Sequence, residues 1–454
     1  MLKKFMISTA ASSLLLLTCF FPLLSSAQTA IANETKQRLT YPVLTKAKTP
    51  EEAGFSSEKL KAVDRLIEQD VKAGFPGSAL ILIKDGKIVK KEAYGYKQKY
   101  NGLTALKHPK KMKANTMFDL ASNTKMYTVN FTLQHLVSTG KLDLNKNISH
   151  YLPDFKDHPE DDVKGKNRLR VIDLLHHNAG FPASWNYYDP KSAGHLYSQS
   201  RSKTLEYLVK TPLAYEPGTK QIYSDIDYML LGLIIEKITN ERLDTFVENQ
   251  FYRPLGLRHT LFNPLQKGFK PSHFAATERM GNTRDGAISF PNIRTYTLQG
   301  EVHDEKAFYS MEGISGHAGL FSTVDDAAVL LQVMLNGGGY GRQHLFSSSV
   351  ISQFTEPSKT NPTYGLGWRL NGNTDMEWMF GKHASSKAYG HTGWTGTVTI
   401  IDPVYQIGIV LLTNKKHSPV INPKENPNQF EGDKFATGKY GSVITAVYEA
   451  LHHQ

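Results

Sequence analysis

The sequence predicts an α+β fold: one antiparallel sheet built from both ends of the chain, flanked by terminal helices and set beside a mainly helical region. Three observations predict it. Near the N-terminal end, the strand-like runs SALILIKD (78–85) and KIVKKEAYG (87–95) meet at Asp85-Gly86, a strong hairpin signal. Near the C-terminal end the strand pattern returns in YGLGWRL (364–370), AYGHTG (388–393), TGTVTIID (395–402) and QIGIVLLTN (406–414). Between the two, from about residue 116 to 320, helix-like segments such as NFTLQHLVSTG, VIDLLHHN and YMLLGLIIEKI alternate with Pro- and Gly-rich loops.

Taken in order, Lys3 and Lys4 precede an apolar run from Phe5 to Leu24 that ends in Ser25-Ser26-Ala27. This is the pattern of a secretory leader, so residues 1–27 read as a signal peptide cut after Ala27, with Ala30 and Ala32 as alternatives. Cys19, the single cysteine, lies inside it and is an alternative lipidation point, although Thr18 is a poor residue before such a cut. Once the leader is removed no cysteine remains, which excludes disulfides, Cys-ligated zinc and a cysteine nucleophile. Residues 28–48 are polar and aperiodic and read as a tether. The domain then spans 49–454, with an α/β part at 49–115 and 325–454 and a helical part at 116–324. It opens on a helix from about Ser56 to Ala73, where Leu60, Val63, Leu66, Ile67 and Val71 form one apolar stripe. It closes on a helix from about Gly441 to Leu451.

The chain carries 53 Lys and Arg against 42 Asp and Glu, a formal charge of +11. A secreted basic protein suits a polyanionic neighbour such as a bacterial cell wall. The basic residues are scattered and no recognition motif accompanies them, which argues against nucleic acid. No membrane contact is expected after leader cleavage, and the chain leaves the oligomeric state open.

Chemistry concentrates in three short motifs. In FDLASNTK (118–125), Ser122 and Lys125 stand three residues apart, hence on one face of a helix. A serine hydroxyl is a weak nucleophile until a neighbour takes its proton, and Lys125 is placed to do so. The same spacing begins at Ser56, Ser138 and Ser200, but only Ser122 has an aromatic-apolar lead-in, a turn and a following helix. Tyr223-Ser224-Asp225 also precedes a helix: Tyr223 can accept or relay a proton, and Asp225 can bond Lys125 or a substrate amide. His391-Thr392-Gly393 ends a strand, where the edge offers backbone groups to an extended substrate and His391 adds a polar or cationic group.

The order and spacing of these motifs resemble the serine β-lactamase and penicillin-binding-protein superfamily, in particular its class C β-lactamase and D-alanyl-D-alanine carboxypeptidase branch. The similarity runs over roughly residues 50–450 and includes LLHHNAGFP (174–182), YEPGTKQIYSDIDYMLLG (215–232), FYRPLGLRHT (251–260) and SGHAGLFST (315–323). It implies a β-lactamase-like fold, with Ser122 as the acylated nucleophile, Lys125 as its activator and Tyr223 as a general base shared with Lys125. His391 would stand for the third-motif cation. The Ser122 N–H, with one near Gly393–Thr395, would form the oxyanion hole. Two departures stand out: Asp225 replaces the usual Asn of the second motif, and His391 replaces the commoner Lys. Both argue against efficient β-lactam hydrolysis, while β-lactam binding stays open.

Segment 300–322, GEVHDEKAFYSMEGISGHAGLFS, resembles a narrower group that takes in low-molecular-mass penicillin-binding proteins and exo-N-acetylmuramyl-L-alanine amidases of muropeptide recovery. Within it, His303, Asp304, Glu305 and His317 either bind muramyl sugar or peptide or form a buried hydrogen-bonded corner. The resemblance implies a secreted, cofactor-independent serine amidase acting on peptidoglycan fragments. A D-alanyl-D-alanine carboxypeptidase is the first alternative and a non-catalytic wall-binding or β-lactam-sensing protein the second. Other chemistries fit poorly. Gly313-Ile314-Ser315-Gly316-His317 lacks the last glycine of an esterase elbow. No zinc-binding motif occurs, and the adjacent His176 and His177 read as loop or packing residues. Trp185, Tyr187 and Tyr188 either wall a sugar site or cover the helical core.

Overall fold

The computed structural model describes residues 40–452. The leader, Cys19 and the tether up to residue 39 lie outside the described residues. Strands β1 (Thr45–Lys46), β2 (Gly77–Lys84), β3 (Lys87–Asn101) and β4 (Thr104–Lys111) come from the N-terminal part. Three short strands, β5 (Phe118–Asp119), β6 (Leu261–Phe262) and β7 (Leu320–Ser322), form a separate small sheet, and β8 (Gly339–Tyr340) pairs with β9 (Gln343–His344). Strands β10 (Arg369–Leu370), β11 (Tyr389–Gly393), β12 (Thr397–Asp402) and β13 (Ile407–Thr413) return to the main sheet, and β14 (Val420–Asn422) pairs with β15 (Asn426–Phe430). The main sheet runs β1-β3-β2-β13-β12-β11-β10, with β4 on β3, so the N-terminal and C-terminal strands join where β2 pairs with β13.

The sheet is antiparallel except at one edge, where β1 pairs parallel to β3. Residues 45 and 46, expected in the tether, therefore belong to the sheet. The Asp85-Gly86 turn has φ of 50° and 73°, the paired positive values that a tight two-residue hairpin needs. Strand β2 is buried on both faces. On one side Leu80, Leu82, Ile400 and Ile409 pack against α1 (Ser57–Lys72) and α5 (Gly441–Glu449), the two terminal helices. On the other, Ala79, Ile81, Ile83 and Val410 join the core of the helical part through α4 (Val324–Leu335). Ser56 starts α1 as its cap, its hydroxyl accepting the Lys59 N–H at 3.2 Å.

The helical part centres on α2 (Phe131–Ser138) and α3 (Asp225–Thr239); ten residues of α3, Ile226 through Ile235, are buried in succession. A helix apolar all round is a core helix, and α3 presents its N-terminus to the nucleophile turn. Among the described residues no helix is long and apolar enough to cross a membrane.

Candidate active site

The chain reaches Ser122 through β5, which β7 fixes by pairing Phe118 with Ser322 and Asp119 with Phe321. Asp119 is buried; its Oδ1 accepts the Ala121 N–H at 2.8 Å and its Oδ2 accepts the His303 N–H at 2.6 Å. That bond holds Ala121 at φ 47°, in the left-handed region a side chain seldom adopts. The bend aims Ser122 out of the turn. Residues Lys125–Asn130 then wind as a widened π-helical turn before α2 begins, a local irregularity that recurs at functional sites.

Lys125 is wholly buried. Its Nζ donates to Ser122 Oγ at 3.0 Å, Asp225 Oδ1 at 2.8 Å and the His317 carbonyl at 3.2 Å. Burial works against the ammonium, but the Asp225 carboxylate and, after it, Tyr223 outweigh it and the Lys125 pKa is raised above the ordinary lysine value. With three protons engaged and the charge stabilised, Lys125 rests as a donor to Ser122.

Tyr223 and Asp225 are placed by the start of α3. Ser224 caps this helix, its hydroxyl accepting the Ile226 N–H at 3.2 Å and donating to the Pro182 carbonyl at 2.7 Å. Lys125 Nζ sits 4.8 Å from the Tyr223 ring centroid, with the His177 ring at 4.7 Å and the His391 ring at 5.8 Å. The Tyr223 hydroxyl is buried and has no hydrogen-bond partner among the described residues. Beneath it, His177 Nδ1 lies 2.7 Å from Asp227 Oδ2. Burial depresses His177 to about 3 and pushes the Asp227 carboxyl well above the usual carboxylate range, and the pair packs the underside of Tyr223.

Asp225 bonds Lys125, one of its two expected roles, and also takes a second lysine that sequence reasoning missed. Lys306 Nζ lies 3.2 Å from Asp225 Oδ2 and 3.3 Å from Asp304 Oδ2. Burial opposes the Asp225 charge, but Lys125 and Lys306 hold its carboxyl below the usual range. The signal was the departure itself: an Asp in place of Asn on a buried helix end requires a countercharge. Asp225, Asp304 and His317 each place one donor atom within 4.8 Å of the others. The Lys306 ammonium already bridges the two carboxylates, so the cluster is charge-satisfied by the chain itself.

His303 and His317 form the buried corner rather than exposed substrate contacts. His303 Nε2 pairs with Glu278 Oε2 at 2.7 Å, and His317 Nε2 with Asp304 Oδ1 at 2.8 Å; both rings are nearly inaccessible. Tyr187 belongs to the core, while the Tyr188 ring lies tilted against Phe290, centroids 4.6 Å apart.

The third motif closes the other wall. Strand β10 covers β11 only at Tyr389 and Gly390, leaving the outer edge of His391, Thr392 and Gly393 without a strand partner among the described residues. A Cβ on Gly393 would lie 2.4 Å from the Leu120 carbonyl and 3.2 Å from Ala121 Cβ. Only glycine lets the strand come this close to the nucleophile turn. Thr395 Oγ1 donates to the Asp119 carbonyl at 2.8 Å, tying the two segments together. Among the described residues the Ser122 N–H has no acceptor, as an oxyanion donor requires. His391 departs from expectation. It is buried, its Nδ1–H donates to the Thr392 carbonyl at 2.7 Å, and burial, with Arg369 and Lys125 nearby, pushes its pKa well down. It is a neutral imidazole, not a cation. The positive group here is Arg369, whose guanidinium carbon lies 5.6 Å from the Tyr223 ring centroid.

A serine on a strained turn, bonded to a buried lysine and faced by a tyrosine and an open strand edge, is built for acyl transfer through serine. That is the equipment of a serine hydrolase. The family model described as Beta-lactamase matches residues 63–434, and the chain belongs to that family. It is 62% identical to an N-acetylmuramyl-L-alanine amidase of Bacillus subtilis (strain 168), over 97% of this chain and 98% of that one. It is 57% identical to an Escherichia coli (strain K12) protein named "Putative D-alanyl-D-alanine carboxypeptidase", over 90% and 94% of the two chains. Among solved structures, a penicillin-binding protein homolog from Caulobacter crescentus shares the fold at TM-score 0.61 and 18% identity, covering 88% of this chain and 99% of that one. The unliganded simvastatin synthase of Aspergillus terreus in its selenomethionyl form does so at 0.64 and 16%, covering 88% and 100%.

Proposed function

We propose that this protein is a secreted serine amidase that hydrolyses the N-acetylmuramyl–L-alanine bond of peptidoglycan fragments through an acyl-enzyme on Ser122. The observation that carries the reading is its 62% identity, over nearly the whole of both chains, to an amidase of that name. The site supports it. Ser122 Oγ attacks the lactyl carbonyl of the muramyl group and its proton passes to the Tyr223 hydroxyl oxygen as that hydroxyl gives its own proton to the departing amide nitrogen; Tyr223 lies beside Lys125 and its hydroxyl is otherwise unengaged. Lys125 holds the oxygen in place and stabilises charge developing on it, and the Ser122 N–H faces the oxyanion. One such donor supplies about 3–4 kcal/mol. The peptide amine departs with the proton, and water then releases N-acetylmuramic acid from the ester. Secretion rests on the leader-like residues 1–27, and protein from the medium is expected to begin at Gln28.

D-alanyl-D-alanine carboxypeptidase is the second reading, favoured by the 57% identity to the E. coli protein. An equimolar mixture of N-acetylmuramyl-tripeptide and a pentapeptide ending in D-Ala-D-Ala separates the two. Release of N-acetylmuramic acid without D-alanine is the expected result, and release of D-alanine alone overturns it.

A further inference from the structure

The row of charges that begins at Lys125 closes on itself. Asp225 joins Lys125 to Lys306, Lys306 joins Asp225 to Asp304, and Asp304 joins Lys306 to His317. The His317 carbonyl then returns to Lys125 at 3.2 Å. His317 is fixed from its other side by Ser315 Oγ, 2.7 Å from Nδ1, and Asp304 Oδ1 also accepts the Ala307 N–H at 2.8 Å. The Lys125 and Lys306 side chains are 0% and 7% exposed, so neither charge is left to water.

We propose that Lys306 is a positioning residue of this hydrolase: it supplies the countercharge for Asp225 and thereby holds Lys125 Nζ on Ser122 Oγ. The inference rests on Ser122 being the acylated group. Each Asp225 oxygen faces a lysine, Lys125 on Oδ1 and Lys306 on Oδ2. A buried carboxylate facing Lys125 alone would draw the ammonium away from the serine; a second ammonium on the other oxygen balances that pull. The ring places an alternation of charge where an uncharged Asn would need none.

The test compares Lys306→Met, Asp225→Asn and the double variant. Two rates are read: turnover of N-acetylmuramyl-L-alanyl-D-isoglutamine, and covalent labelling of Ser122 by a fluorophosphonate. Lys306→Met is expected to lower kcat and the labelling rate about 100-fold, with KM within about threefold. The double variant, in which both charges are gone, is expected to recover at least about tenfold over Lys306→Met. Wild-type rates in Lys306→Met, or a double variant that loses the product of the two single losses, overturns the proposal. Should Lys306→Met fail to fold, the double variant is compared with Asp225→Asn: labelling within about twofold supports the proposal, and a further loss of about tenfold overturns it. Labelling without muramic acid release would condemn the substrate assignment alone, and the coupling is then read from labelling.

Discussion

Lys125 holds three acceptors at once, and its charge is stabilised by the carboxylate beneath it. Ser122 and Lys125 therefore act as one unit. Ser122→Ala is expected to lower kcat by roughly 10⁴-fold or more, Lys125→Ala nearly as much, and the double variant no further. Melting temperatures check that Ser122→Ala stays folded, and additive losses would show two separate roles. His391 makes a different prediction. Its pKa lies well below the ordinary value because it is buried beside Arg369 and Lys125, so it is neutral throughout pH 6–8. His391→Asn should leave the shape of the kcat/KM pH profile unchanged in that range. A limb near the ordinary histidine pKa that vanishes in the variant would contradict this.

At the scale of elements, catalysis depends on how closely β11 approaches the Ser122 turn. Gly393→Ala puts a methyl 2.4 Å from the Leu120 carbonyl and 2.3 Å from Thr397 Oγ1. Overpacking of this kind costs about 1–3 kcal/mol, and a shift of the strand by about 1 Å can cost 10²-fold in rate. The variant is expected to lose about 100-fold in kcat with a modest fall in melting temperature; wild-type kcat would show that the approach is not needed. The elements themselves were unevenly legible. The apolar runs of β2, β12 and β13 stood out because both faces are buried. Strand β4, TALKHPKK, is largely exposed and polar, and β15, NPNQF, contains a proline, so neither carries an alternation that reads as strand. Of YGLGWRL only Arg369 and Leu370 pair in the sheet. The site was legible in its motifs, since Ser122, Tyr223, Asp225 and His391 meet around Lys125. What the sequence concealed was charge state: Lys306 is far from Asp225 in the chain, and His391 looks cationic until its burial is known.

Over the whole molecule, buried histidines tie stability to pH. His417 Nε2 accepts the N–H groups of Lys99 and Tyr100, at 2.9 and 3.1 Å, and burial depresses its pKa to about 3. Its folded pKa is below the unfolded value near 6.5, so the unfolded chain binds the proton first. The stability contribution is complete above about pH 6.5 and is lost as pH falls toward about 3, at up to about 1.4 kcal/mol per pH unit. His417→Gln keeps an acceptor for both N–H groups and should lose less stability between pH 6 and pH 4 by equilibrium urea unfolding. Equal slopes for variant and wild type would refute this.

The sheet, the helical part and the three motifs converge on Ser122, the serine proposed to cleave the muramyl amide. The most direct measurement incubates wild type and Ser122→Ala with N-acetylmuramyl-L-alanyl-D-isoglutamine and follows products by mass spectrometry. Free N-acetylmuramic acid and dipeptide from wild type, and none from Ser122→Ala, is the predicted result. Release at the same rate by both proteins, or by neither, would contradict it.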